Sequence, residues 1–318
     1  MFRRKEIPVY MFTGLLESGK TSFIRDTFAE GEFNDGLKSL LIMCEEGIEE
    51  INPALLKKNK TETVTVEDME TLTEEYFDEL ESTYKPDRIL IENNGMWNPE
   101  DIAGEFPENW MLVQVIATID STTFNVYTSN NSMKALILNQ VKMADLVIFN
   151  RCDASMDRGY FRRNIKPLNR KAQIMYESAD GTMDDQFEEE LPFDYNQPVI
   201  ELHDDDFGLW YLDAMDNPER YKGKKMVFTA QVYRGKNFAD DLFVPGRFAM
   251  TCCAEDVQFI GFFCHAKGAK NLALKSWVKV TAKVDIETVK EYHGRGPVLY
   301  AEKYEPGVEP EEKIVYFT

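Results

Sequence analysis

Residues 8–12, Pro-Val-Tyr-Met-Phe, form a short apolar run that reads as a buried strand, and Ser22–Phe28 carries apolar residues at helical spacing. Between them lies Gly14-Leu15-Leu16-Glu17-Ser18-Gly19-Lys20-Thr21. A strand that ends in G-x-x-x-x-G-K-T and opens into a helix constrains the fold more than any other stretch of this chain. The glycines permit a tight loop whose successive N–H groups point inward, and the helix N-terminus adds partial positive charge. Such a loop cradles phosphates. In this reading Gly14, Glu17, Ser18, Gly19, Lys20, Thr21 and Ser22 line the phosphate site. Lys20 reaches the β- and γ-phosphates, and the Thr21 hydroxyl ligates Mg²⁺. The alternative is an ordinary glycine turn, which the strand-and-helix context disfavours.

The 318 residues suffice for two domains, each with a core. No apolar run approaches eighteen residues, so no membrane-spanning helix is expected. The basic start, Met1–Glu6, leads straight into the first strand and lacks the cleavage site of a secretory signal. Five cysteines, at 44, 152, 252, 253 and 264, are too scattered for a disulfide framework. A cytoplasmic location is the expectation. The net charge of −20 is unevenly spread: residues 218–318 hold 16 Lys/Arg and 13 Asp/Glu, residues 1–217 hold 20 and 43. So acidic a body disfavours nucleic acid as a partner. The asymmetry also suggests a nucleotide-binding domain over 1–195, a linker and helix over 196–219, and a second domain over 220–318.

The first part alternates apolar runs with polar helical stretches, which predicts an α/β domain with a mostly parallel sheet. Expected strands cover 7–12, 39–44, 88–92, 112–119, 145–150 and 172–176, and helices fill the gaps, notably 66–83 and 132–143. The acidic stretch Asp184–Glu190 reads as a solvated helix face rather than a metal site. From about 220 the runs become short, β-branched and aromatic, at 226–233, 248–252, 259–264, 277–284 and 298–301. Five such strands predict a small all-β unit, an OB-like barrel being first choice.

Strand 88–92 ends in Glu92-Asn93-Asn94-Gly95. An acid at that place orients Mg²⁺ or an attacking water, and Gly95 lets the backbone approach a γ-phosphate. Lys20 and Glu92 are therefore the candidate catalytic residues. Strand 145–150 closes on Asn150-Arg151-Cys152-Asp153, an N-[KR]-x-D pattern. The Asp153 carboxylate can accept from N1–H and the 2-amino group of guanine, a donor pair adenine lacks, and the Arg151 stem can lie on the base. Asp153 as a helix N-cap is the alternative. Cys44–Glu49 occupies a switch position, where Glu45 either senses Mg²⁺ and the γ-phosphate or belongs to a plain acidic loop.

The ordered set G-x-x-x-x-G-K-T, acidic switch, E-x-x-G followed by Pro99, and N-[KR]-x-D resembles the CobW-type GTPases over roughly 1–190. Asn169-Arg170-Lys171-Ala172 matches a segment those proteins carry after the guanine reader. The resemblance implies slow GTP hydrolysis coupled to metal or partner binding, as in metallochaperones, and a homodimer. Two departures stand out. The C-x-C-C metal motif of that family is missing, since Val64–Met69 holds no cysteine, and Glu17 replaces a more usual glycine.

The stretch Val244–Asp256, with Tyr221–Lys224 and Val232–Arg234, is similar to the C-terminal domain of the YcgQ-like family associated with predicted permeases. A protein client or permease-like partner is therefore expected to bind the second domain. Cys252, Cys253 and Cys264 with His265 offer a Zn²⁺ set, although neighbouring strand residues point to opposite faces. Core packing and a redox role are the other readings. His203 with Asp204–Asp206 reads as a helix N-terminus. The expected activity is GTP binding with slow hydrolysis in metal homeostasis, and the rival is a non-hydrolysing, nucleotide-dependent scaffold.

Overall fold

The computed structural model describes residues 4–31, 33–45, 47, 49–187, 190–250 and 257–317. The chain divides into two compact units, residues 1–186 and 187–318. In the first, β1 (Ile7–Thr13), β2 (Ser39–Met43), β3 (Thr61–Thr65), β4 (Arg88–Glu92), β5 (Trp110–Asp120), β6 (Leu146–Cys152), β7 (Gln173–Ser178) and β8 (Met183–Asp184) form one sheet. Its order is β3-β2-β4-β1-β5-β6-β7-β8. Only the last pairing is antiparallel, so the expected mostly parallel α/β domain is what forms.

Helices α1 (Lys20–Glu30), α2 (Pro53–Lys58), α3 (Glu74–Tyr84), α4 (Pro99–Gly104), α5 (Ser121–Thr128), α6 (Asn131–Val141) and α7 (Arg158–Ile165) lie between the strands. One face of the sheet packs Phe12, Leu41, Leu90, Ile116 and Ile148 against Ile24 and Phe28 of α1. Burying each such side chain contributes roughly 1.5–3 kcal/mol. An aromatic group made of Phe124, Phe149 and Phe161 joins α5, β6 and α7, with the Phe149 and Phe161 rings stacked at 4.5 Å.

Two local expectations are corrected. The helix expected over 66–83 begins only at Glu74, where Thr73 caps it by accepting from Tyr76 N. Residues ahead of it form β3 and a short turn of 3₁₀-helix at Met69–Thr71. Nor does Asp184 start a helix: Met183 and Asp184 pair with β7, and the Asp184 carboxylate meets Arg158 at 2.7 Å.

The second unit contains β9 (Val199–Glu201), α8 (Phe207–Asp216), β10 (Lys225–Tyr233), β11 (Leu242–Met250), β12 (Val257–Gly261), β13 (Cys264–His265), β14 (Trp277–Val289), β15 (Gly294–Pro306) and β16 (Ile314–Val315). The sheet is mixed, in the order β12-β11-β13-β15-β14-β10-β9, with β11 also paired to β10 and β16. The unit is not all-β, because Phe207 and Trp210 of α8 are buried in its core with Phe228 and Phe262. His203 and Asp204–Asp206 lead into α8, and Asp206 accepts from the His203 N–H. No helix among the described residues is long and apolar enough to cross a membrane.

Candidate functional site

Parallel strands bring the carboxyl ends of β1, β4, β5 and β6 to one edge, the crevice where open α/β sheets bind ligands. Register sets the level. Phe12 stands beside Glu92, Thr13 beside Ala117, and Asp120 beside Asn150. The acid at the end of β4 therefore sits level with the start of the glycine loop.

That loop is held from several sides. Gly19, at φ 99°, runs so close to Asn150 that a Cβ would stand 2.3 Å from its Nδ2. The Asn150 amide donates to the Ser18 carbonyl at 2.5 Å, and the Ser18 hydroxyl meets that of Thr118 at 2.9 Å. Glu17 is exposed with φ 62°, a left-handed conformation where glycine costs less. Its carbonyl accepts from Arg151 at 3.2 Å.

Lys20 is buried and spends its ammonium donors on Gly14 O at 2.9 Å, Leu15 O at 3.0 Å and Glu45 Oε2 at 2.5 Å. The Thr21 hydroxyl donates to Glu92 Oε1 at 2.6 Å, while Glu92 Oε2 is buried with no hydrogen-bond partner among the described residues. Burial pushes the Glu92 carboxyl above the ordinary carboxylate range, against the opposing pull of the Thr21 hydrogen bond and the Lys20 charge. An orphaned carboxylate oxygen beside a threonine hydroxyl is a hard oxygen pair of the kind Mg²⁺ takes.

Glu45 lines the same cleft as Lys20, Thr21 and Glu92. It bridges Lys20 and the Gly95 N–H, which donates to Oε1 at 3.3 Å. Gly95 has no room for a side chain, since a Cβ would lie 2.6 Å from Leu15 Cα. Further along the same loop, Glu49 accepts from Ser22 at 2.6 Å and from Arg25 at 2.8 Å. Glu46 and Ile48 lie outside the described residues.

Gln140 belongs to none of the sequence motifs. Buried near the end of α6, its amide oxygen accepts from Gly14 N at 3.2 Å and Asn93 Nδ2 at 3.0 Å. Its amide nitrogen donates to Gly95 O at 3.1 Å and Trp97 O at 2.8 Å. One side chain thus ties the phosphate loop to the E-x-x-G loop. Only a helix-face count marks a polar residue at a position otherwise directed inward, beside buried Ile137, Leu138 and Val141.

The cleft so formed is lined by Glu17, Lys20, Thr21, Glu45, Glu92 and Arg151, among others. Toward its outer end Arg151, at φ 55°, ion-pairs with Asp120. Asp153 is exposed and accepts from both the backbone N–H and the hydroxyl of Ser155, which hold its carboxyl below the ordinary range. Of the cysteines proposed for Zn²⁺, Cys252 and Cys253 lie outside the described residues. Cys264 is fully buried in the core of the second unit, where burial pushes its thiol up to about 12. No group of three or more metal-ligating side chains occurs among the described residues.

A strand–glycine loop–helix unit, a hydroxyl-bound acid on the adjacent strand and an asparagine gripping the loop from a third strand define a nucleotide-binding P-loop protein. The family model described as CobW/HypB/UreG, nucleotide-binding domain, matches residues 8–176, and the chain belongs to that family. Residues 177–317 match the DUF1980 C-terminal domain. A curated relative, the zinc chaperone CobW of Sinorhizobium sp, is 24% identical over 303 residues, covering 76% of this chain and 83% of the relative. Among solved structures, the hydrogenase maturation factor HypB of Archaeoglobus fulgidus is 16% identical with a TM-score of 0.38, over 55% of this chain and 82% of that one. Chloroplast FtsY of Physcomitrella patens is 16% identical with a TM-score of 0.31, over 49% and 53%. Likeness at these TM-scores carries no inference.

Proposed function

We propose that the protein binds guanine nucleotides and hydrolyses GTP slowly, as a metallochaperone-like GTPase of metal homeostasis. The observation that carries this reading is the convergence of Lys20, Thr21, Glu45 and Glu92 at the level of the loop mouth. Lys20 neutralises the β- and γ-phosphates. Thr21 and the free oxygen of Glu92 would hold Mg²⁺, which when bound draws charge from the phosphate oxygens. Glu92, carrying its negative charge at the end of β4, also positions the attacking water, and Gly95 presents its N–H to the γ-phosphate. Asn150 keeps the loop in shape from the base side, Arg151 flanks the base, and Asp153 selects guanine once it exchanges its Ser155 contacts for the base edge.

The metal-homeostasis part rests on the family and on the relative's name as a zinc chaperone. Zn²⁺ here is cargo, with Cys252, Cys253 and Cys264 as its candidate holders. For Cys264 that requires leaving a core position. The second unit serves as the module that meets a protein client or permease-like partner. An exposed aromatic patch of Tyr233 and Phe248 against Phe259 supports this. Pairing of β10 with both β14 and β11 supports an OB-like arrangement of its strands.

Turnover of GTP, measured with Mg²⁺ alone and with added Zn²⁺, Co²⁺ or Ni²⁺, is the deciding experiment. Slow hydrolysis that a transition metal changes is expected. Tight GTP binding with no turnover under any of these conditions returns the non-hydrolysing scaffold instead.

A further inference from the structure

We infer that the Glu45 carboxylate occupies the γ-phosphate subsite and thereby sets the preference between di- and triphosphate. This deepens the nucleotide reading above and rests on it. Two donors that a γ-phosphate needs, the Lys20 ammonium and the Gly95 N–H, both end on this one carboxylate, at 2.5 Å and 3.3 Å. The pair is enclosed, with side-chain exposures of 2% for Lys20 and 11% for Glu45, so little water competes for either group. A carboxylate that receives two convergent N–H donors is chemically a stand-in for a phosphoryl group.

Lys20 has no further proton to offer. Its other two contacts are to the carbonyls of Gly14 and Leu15, which are backbone of the loop itself and cannot withdraw without unfolding it. Glu45 stands on the chain between β2 and α2 and can withdraw. An arriving γ-phosphate brings negative charge to a place that already holds Glu45 and, beyond Thr21, Glu92. Like charges in an enclosed site repel strongly, so Glu45 must leave. A diphosphate stops short and leaves the Lys20–Glu45 pair in place. Release is felt at once in the E-x-x-G loop, because the same carboxylate holds Gly95, and Asn94 Nδ2 donates to the Cys44 carbonyl at 3.1 Å.

The test compares the full chain with Glu45→Gln and Glu45→Ala for GDP and a non-hydrolysable GTP analogue, by calorimetry, with Mg²⁺ and with EDTA. Glu45→Gln is expected to bind the triphosphate analogue about tenfold more tightly and GDP within twofold of wild type, in EDTA as in Mg²⁺. Glu45→Ala should shift the same ratio in the same direction, and circular dichroism checks that both variants are folded. Equal gains for GDP and the analogue would overturn the inference, since Glu45 would then act on the loop as a whole. Weaker triphosphate binding confined to Mg²⁺ would overturn it as well and make Glu45 a metal ligand. Failure of wild type to bind either nucleotide would remove the nucleotide reading itself, a result visible before any variant is made.

Discussion

The two ends of the cleft are built to different standards. At the phosphate end Lys20, Glu92 and Gln140 are buried and the groups are cross-linked: Lys20 has three partners, Thr21 is fixed on Glu92, and Gln140 ties both loops. At the base end Arg151 and Asp153 are exposed and each has a partner of its own, Arg151 in Asp120 and Asp153 in Ser155. Affinity should therefore come from the phosphate end, whose loop is organised before the ligand arrives, so that only Glu45 has to move for a triphosphate. Selectivity should come from the base end, which must first give up contacts of its own.

The comparison can be broken most easily at Lys20. Lys20→Ala should weaken GTP binding by at least about a hundredfold, because it removes the cation facing the phosphates and leaves Glu45 without its partner. Calorimetry showing a loss below about tenfold would mean that the phosphate end is not where affinity resides. Next in size, Glu92→Gln should slow hydrolysis by about a hundredfold, the scale of a positioned catalytic carboxylate, with nucleotide affinity little changed. A parallel fall in both would make Glu92 a binding group only.

At the base end the effect should be smaller. Asp153→Asn is expected to cut GTP-over-ATP preference by about tenfold, roughly 1.4 kcal/mol, and to leave the phosphate contacts alone. An unchanged preference would show that Asp153 stays in its own turn with ligand bound.

The smallest effect concerns pH. The folded state holds the Glu92 proton more tightly than the unfolded chain does, so ionising this carboxyl costs stability as pH rises through its raised value. In nucleotide-free protein Glu92→Gln should therefore be the more stable at neutral pH, with the difference shrinking as pH falls toward the ordinary carboxylate range. Thermal unfolding of both proteins across that range measures it. A gap that widens on acidification would mean that the carboxyl is held ionised instead.

Much of the phosphate end was legible in the sequence because it is made of short contiguous motifs. A strand, two glycines, Lys20 and Thr21 specify a loop with few alternatives, and Glu92 is marked by its place at the end of an apolar run. What escaped was what depends on distant partners. β3, Thr61–Thr65, is mostly polar and among the described residues pairs only with β2, so its alternation resembles a loop. The spacing that suggested a helix from residue 66 ignored the break at Asp68–Thr73, where an Asp cap and a Thr cap follow one another. Asn150 was read from its motif as part of a base reader, yet its amide grips the Ser18 carbonyl, 132 residues away in sequence. In the second unit the positions of strands were visible but not their lengths. β14 and β15 run 13 residues each, and in β14 the charged Asp285 and Glu287 alternate with Ile286 and Thr288 beyond the apolar run that first marks it.

Gln140 has a consequence of another kind. Its side chain is asked to speak in both directions at once, giving two protons to carbonyls on one side and taking two from N–H groups on the other. Among the standard side chains only a primary carboxamide has that valence, and asparagine has it one methylene short. Glutamate keeps the shape but offers Gly95 and Trp97 a lone pair where each already has one. Leucine keeps the volume but takes a partner from each of Gly14 N, Asn93 Nδ2, Gly95 O and Trp97 O, of which Asn93 Nδ2 and Trp97 O keep a 3.3 Å bond to each other. Position 140 is thus specified by the count and direction of its hydrogen bonds, and no volume-conserving exchange can satisfy it.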